Sequence, residues 1–199
     1  EEWGGSSWTA GGDLVTLRRG LRGCGTQTAG LAFGGSAPAM TGATEEYNGA
    51  SWSEQSDIPT VTKDMGSFGT QTAALGCGGY TPSPASYATS YEYNGASWTA
   101  GGTMITGRRY MAGCGTQTAG MVMSGQVPPQ TTAVEGYDGT AWSTRPSLAT
   151  GRSGIAGNIN SATPGAFVFG GYDGSANTTA TEEFTGETLA ANIVTVTTS

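Results

Sequence analysis

Tyr47-Asn48-Gly49-Ala50-Ser51-Trp52 is a β-hairpin written in six residues. Asn-Gly is a strong two-residue hairpin signal, because both turn residues must tolerate a positive φ. The phrase returns as Tyr93-Asn94-Gly95-Ala96-Ser97-Trp98 and, more loosely, as Tyr137-Asp138-Gly139-Thr140-Ala141-Trp142; Gly4-Gly5-Ser6-Ser7-Trp8 is a first copy. The tryptophans stand 44, 46 and 44 residues apart. A second phrase keeps the same beat: Gly25-Thr26-Gln27-Thr28-Ala29, Gly69-Thr70-Gln71-Thr72-Ala73 and Gly115-Thr116-Gln117-Thr118-Ala119. A repeat of this length is one supersecondary unit that cannot bury its own apolar face and must stack on its neighbours. It therefore speaks to architecture more than to chemistry.

Upstream of the hairpin, Leu21-Arg22-Gly23-Cys24-Gly25 reads as a short alternating strand, and Thr26-Gln27-Thr28 turns the chain. Ala29 to Phe33 is an apolar run ending in Gly34-Gly35, and a loop from Ser36 to Thr44 follows. Glu45-Glu46-Tyr47 enters the hairpin and Ser51-Trp52-Ser53 leaves it. Nothing in the unit has a helical period over ten or more residues. Four short antiparallel strands, a to d, per repeat predict an all-β chain in which each repeat is one blade of a β-propeller. A single domain is expected over residues 1–199, with units at about 1–44, 45–90, 91–134 and 135–181 and a closing segment at 182–199.

Four inner a–b pairs predict four blades. The chain also opens on an extra c–d pair, Glu1 to Gly12, and ends on a β-branched strand within Asn192 to Thr198. These ends predict a splice in which both contribute to one blade, removing open sheet edges. The alternatives are a fifth, incomplete blade completed by residues not present in this sequence, or by another subunit. The aromatics at the hairpins, Trp8, Tyr47, Trp52, Tyr93, Trp98, Tyr137, Trp142 and Phe184, are read as inter-blade core because of the apolar area they can bury. In the last copy Leu189 replaces the Trp.

The 35 glycines far exceed the usual share, yet they sit at fixed places in the repeat and mark turns and tight strand packing. Charged residues make up only 12%, a low-charge Thr- and Gly-rich balance typical of extracellular and virion proteins. A net charge of −7 argues against nucleic acid, which needs a basic footprint. No run of 18 apolar residues is present to insert in a membrane. No secretion signal is apparent, and the chain opens at Glu1, as a processed product or a piece of a longer polypeptide would. Three cysteines, Cys24, Cys77 and Cys114, without a CxxC pair and without any histidine, read as small buried residues and not as zinc ligands.

The residues that carry the pattern resemble the kelch motif: a basic residue opening the first strand, Gly-Gly closing the second, an aromatic before the hairpin and Trp after it. The double glycine is Gly34-Gly35, Gly78-Gly79 and Gly170-Gly171, with Ser124-Gly125 as a departure. The wording Gly-Thr-Gln-Thr-Ala and Tyr-Asn-Gly-Ala-Ser-Trp is similar to kelch-like arrays of marine bacteriophage structural proteins and environmental sequences. The resemblance implies a virion or extracellular location, in a tail, fibre or capsid-surface protein. It implies protein partners in multiple copies and recognition of host-surface glycan.

Catalysis is not expected. Without histidine the commonest general base and metal ligand are both missing, and the acids are spread one or two per repeat. No cofactor and no metal are expected; kelch oxidases use His ligands that this chain does not have.

Two groups of candidate binding residues remain. Arg18, Arg19, Lys63, Arg108, Arg109 and Arg152 occupy the d-to-a junction, which in similar kelch propellers lies near the mouth of the central channel. A ring of such groups would favour carboxylates and other anions. The competing reading pairs each with a strand-c acid such as Glu46 or Glu92. The b-to-c loops vary most between repeats, as a binding rim does, and supply Pro38, Tyr80, Pro82, Pro84, Tyr87, Pro128, Pro129, Tyr172 and Asp173.

Overall fold

A computed structural model describes residues 1–83, 87–158, 165–185 and, through its backbone, 193–196. Pro84 and Leu189 lie outside the described residues. The described chain is all β, with no helix. In chain order the strands are β1 (Glu2–Trp3), β2 (Trp8–Thr9), β3 (Arg22–Thr26), β4 (Ala29–Phe33), β5 (Ser36–Ala37), β6 (Ala39–Met40), β7 (Thr44–Tyr47) and β8 (Trp52–Gln55). Then come β9 (Gly66–Thr70), β10 (Ala73–Cys77), β11 (Ser90–Tyr93), β12 (Trp98–Ala100), β13 (Ala112–Thr116) and β14 (Ala119–Met123). The last are β15 (Val134–Tyr137), β16 (Trp142–Arg145), β17 (Ala156–Gly157), β18 (Ala166–Phe169), β19 (Thr181–Phe184) and β20 (Ile193–Val196).

Four antiparallel sheets follow one another: β3-β4-β7-β8, β9-β10-β11-β12, β13-β14-β15-β16 and β17-β18-β19-β20. Each straddles a boundary between the units drawn from sequence, because a unit starts on the outer pair of one sheet and ends on the inner pair of the next. The predicted splice of both ends into one sheet is not what forms. The last strand completes the fourth sheet, whereas β1 and β2 make a two-stranded sheet of their own. The reason is register: β19 supplies the third strand beside β18 and β20 the fourth, so the places the amino-terminal pair was expected to take in that sheet are filled.

Local chemistry sets the hairpins. The side-chain oxygen of Asn48 accepts the N–H groups of Ala50 and Ser51, and Asn94 and Asp138 do the same in their turns. The following Gly49, Gly95 and Gly139 take φ of 91°, 90° and 93°, a conformation a Cβ resists. The register then pairs Tyr47 with Trp52, Tyr93 with Trp98 and Tyr137 with Trp142.

Alternation along each strand gives every sheet two unlike faces. One presents bulky second-strand residues, Leu31 and Phe33, and the next sheet meets them with Ala74, Tyr91, Tyr93 and Trp98. Leu75 and Cys77 meet Val122, Tyr137 and Trp142 in the same way, and Met121 and Met123 meet Ala166, Val168 and Phe184. The fit needs glycine on the receiving side: a Cβ on Gly76 would lie 2.6 Å from the Phe33 ring and one on Gly120 2.1 Å from Phe68. Phe33 meets the Trp98 ring edge-on at 4.8 Å. Tyr93, Trp98, Tyr137 and Trp142 are core as expected. Tyr47 is buried too, but Trp52 and Phe184 are half-buried and Trp8 is 64% exposed. Trp8 is thus not core: among the described residues its sheet has two strands, and its ring lies 5.5 Å from that of the exposed Trp3.

Successive sheets are also joined by hydrogen bonds. Gln71 Nε2 donates to Gly30 O and Tyr47 O of the preceding sheet, and Gln117 Nε2 donates to Ala74 O and Tyr93 O. This is what the recurring Gly-Thr-Gln phrase does. Gly35, Gly79 and Gly125 each donate their N–H forward to Thr62, Arg108 and Arg152. Asp64 donates to Gly20, Tyr110 to Asp64 and Gly154 to Tyr110, a backbone chain whose four members all have φ between 58° and 66°.

Candidate functional site

The chain enters each first strand through a pair of positions: Arg18-Arg19, Thr62-Lys63, Arg108-Arg109 and Arg152-Ser153. The two members have opposite fates. Arg18, Arg108 and Arg152 turn inward with no exposed side-chain surface and meet Glu45, Glu135 and Glu182 at 3.2, 3.1 and 2.8 Å. Arg152 makes a hydrogen bond of this contact, while Arg108 Nη2 lies off the hydrogen-bonding angle and its contact is ionic. Arg18 and Arg108 also hold carbonyls of their own sheet, Ala43 O and Ala133 O. Burial lowers the pKa of both guanidinium groups, and the facing carboxylate opposes that shift. Glu46 and Glu92, the acids expected as partners, point to the opposite face of their strands and accept the Tyr93 and Tyr137 hydroxyls instead.

The carboxylates do a second job. Glu45 accepts the N–H groups of Val15 and Thr16, Glu135 those of Ile105 and Thr106, and Glu182 that of Ala149. Each ion pair thereby ties down the loop that leads into its sheet. The second sheet shows why the trio belongs together. There the loop position is Pro59, which has no N–H to give. Thr62 replaces the arginine and Tyr91 the glutamate, and the Tyr91 hydroxyl reaches Thr60 Oγ1 at 2.7 Å. A missing donor is matched by a missing acceptor and a missing charge.

The outer members form a surface with the b-to-c loops, which leave the sheets at the same end. Single β-bridges join Arg19 to Ser36, Lys63 to Tyr80, Arg109 to Gln126 and Ser153 to Tyr172. Lys63 Nζ lies 5.4 Å and the Arg109 guanidinium 4.8 Å from the Tyr80 ring centre, and Arg109 also lies over Tyr110 at 5.4 Å. Arg109 Nε donates to Gln126 Oε1 at 3.0 Å. Arg19, Pro38, Pro82, Pro128, Pro129, Tyr172 and Asp173 are exposed around this cluster's end of the sheets. Tyr87 departs from the rim reading: it packs against the first core cluster and meets Thr60. Asp173 caps its own turn through the N–H groups of Ser175 and Ala176, which lower its pKa.

Arg22 is not among the six basic residues of the d-to-a junction. It lines a cavity of about 320 Å³ to which all four inner strands contribute, through Gly23, Ser67, Ala112, Gly113, Ala156 and Gly157. Arg22 Nε donates to Met65 O at 2.7 Å, bridging the first sheet to the second. Its pKa is lowered by burial, against the raising influence of Asp64 and then Tyr110. Its position inside a first strand, one step before Gly23-Cys24-Gly25, was the available signal. A second cavity, about 440 Å³, lies between Glu1, Glu2, Gly11 and Gly12 on one side and β3, β4, Tyr47 and Trp52 on the other.

Among the described residues no cluster of three or more Cys, Asp or Glu side chains could hold a metal ion. Among the same residues no helix is long and apolar enough to cross a membrane. The chain matches no protein-family model, and a search of curated proteins finds no relative.

Proposed function

We propose that this chain is a kelch-like β-propeller serving as a non-catalytic structural and adhesive module of a bacteriophage particle, in a tail, fibre or capsid-surface protein. Its sheets in series are the blades. Its work is protein–protein contact within the assembly, with the loop rim as the surface that takes host-surface glycan. The observation that carries this reading is the division of labour at the entry positions. The inner basic residues are spent on internal ion pairs, while the half-buried Lys63 and Arg109 both lie over the Tyr80 ring. Two cations gathered on one aromatic ring suit a sugar that carries a carboxylate.

Two measurements test the reading together. Antibody to residues 1–199 should label purified phage particles from the source of the chain. On a glycan array the chain should favour acidic glycans, and Tyr80→Ala with Arg109→Ser should weaken that binding at least tenfold. Glycan binding without particle labelling selects the rival reading, a secreted bacterial lectin-like or adhesin module, which the same rim favours. Neither labelling nor binding overturns both.

A further inference from the structure

We infer that the cavity shared by the four inner strands is a binding site for a small, singly charged carboxylate, taken by the guanidinium of Arg22 and selected by Asp64. The site is separate from the Tyr80 rim, and the inference stands whether or not the chain takes glycans there.

Three observations carry it. First, the cavity of about 320 Å³ has Arg22 as the one charged residue among those lining it; its wall is otherwise glycine, alanine, Ser67, Met111 and Ile155. A concave site of this kind, with one well-placed polar group, is how small molecules are usually held. Second, the Arg22 guanidinium is fixed without being neutralised. Nε donates to Met65 O at 2.7 Å and Nη1 to Leu21 O at 3.2 Å. Both acceptors are main-chain carbonyls, whereas Arg18, Arg108 and Arg152 are each bound by a carboxylate. Third, the backbone beside Arg22 is strained in a way that marks a site. Gly20, Asp64, Tyr110 and Gly154 are the four members of the backbone chain, with φ of 66°, 58°, 58° and 63°. Glycine meets that conformation freely at two of the places. An aspartate and a tyrosine occupy the others against their preference, and residues held so gather at functional sites. Their side chains are neighbours of Arg22. An ideal Cβ on Gly20 would lie 3.1 Å from Asp64 Oδ1, and Tyr110 hydrogen-bonds Asp64. Burial lowers the Arg22 pKa, and Asp64, then Tyr110, oppose that shift.

These groups specify the ligand. A guanidinium takes carboxylates and phosphates alike, so Arg22 alone would not choose between them. Asp64 does. Its buried negative charge near Arg22 repels a dianion about twice as strongly as a monoanion, because Coulomb energy is proportional to charge. A singly charged carboxylate therefore keeps most of the attraction of Arg22, and a doubly charged phosphate loses more of it. Tyr110 positions Asp64 through their hydrogen bond. The glycines and alanines of the wall leave room for a body the size of a sugar acid.

The test titrates residues 1–199 with glucuronate, glucose and inorganic phosphate by calorimetry at about pH 8, where phosphate is mainly a dianion. Saturable one-to-one binding of glucuronate is expected, with no binding of glucose and phosphate at least fivefold weaker. Arg22→Gln should weaken glucuronate at least tenfold. Arg22 also joins two sheets, so Arg22→Lys is a second variant: it keeps the charge, loses the planar fork and should also bind more weakly. Asp64→Asn keeps a side chain that tolerates the left-handed conformation. It should leave the circular dichroism unchanged and raise phosphate affinity relative to glucuronate at least fivefold. Tyr80→Ala should leave glucuronate binding as it is, which separates this site from the rim. Absence of glucuronate binding overturns the inference, as does equal binding of glucose. So does binding that survives Arg22→Gln, a selectivity that Asp64→Asn does not move, or loss of binding in Tyr80→Ala.

Discussion

Arg152 and Glu182 meet at 2.8 Å with both side chains closed off from solvent. Arg18 with Glu45 and Arg108 with Glu135 repeat the arrangement in two other sheets. A buried pair of this kind is a weak source of net stability but a strong constraint on its surroundings, because neither charge tolerates the loss of the other.

Arg108→Met alone should therefore destabilise the fold by about 3–5 kcal/mol in urea unfolding, by leaving Glu135 charged and unpaired. Transplanting the second sheet's solution, Arg108→Thr with Glu135→Tyr and Ile105→Pro, should recover most of that loss. If the triple variant is no more stable than Arg108→Met, the three positions do not act as a unit.

Tryptophans at equivalent repeat positions should differ widely in their value. Trp98 is 7% exposed, packs on Phe33 and donates its indole N–H to Thr44 Oγ1 at 3.0 Å. Trp98→Ala should cost about 3–5 kcal/mol. Trp8→Ala should fall within about 0.5 kcal/mol of wild type, as exposed substitutions do. Denaturant midpoints of the two variants compare them directly.

Gly120→Ala should be harmful even though alanine narrows the freedom of the unfolded chain, since its Cβ would lie 2.1 Å from the Phe68 ring. A loss of about 1–3 kcal/mol is expected from overpacking. Adding Phe68→Leu should make Gly120→Ala less costly than it is alone, and a double-mutant cycle measures the coupling.

Alkali should unfold the protein. Burial pushes the Cys24 and Cys77 thiols up from 9.0 to about 12 and Cys114 to about 11. Burial, then the hydrogen bond to Glu92, pushes Tyr137 up to about 12. Each of these acids stays neutral when folded and ionises more readily when unfolded, so its contribution is complete below the unfolded pKa and is lost as pH rises toward the folded one. The melting temperature should fall from about pH 9 upward. The native thiols should resist iodoacetamide at pH 8 and react on unfolding.

The strands, their antiparallel order, the Asn-Gly turns and the buried Tyr–Trp pairs were legible in the residues, because each depends on a few neighbours in the chain. The candidate site was legible only in halves. Sequence put Arg18 beside Arg19 and Arg108 beside Arg109, and adjacency suggested one basic ring. Strand alternation instead sends the first of each pair inward to an acid some 27 residues on and leaves the second beside the loops. Which acid takes part was equally hidden, since Glu45 and Glu46 differ only in the face they occupy.

Repetition by itself determined what each unit becomes, since hairpin chemistry and two-residue periodicity are local. Tertiary structure alone decided which strands share the last sheet. Glu2 and Trp3 read as the start of one more copy. Only the register of β19 on β18 and of β20 on β19 shows that the fourth sheet takes its outer strands from the carboxy-terminal segment and not from β1 and β2. Pairing between strands far apart in sequence is a competition for edges, and its outcome depends on every other strand in the molecule.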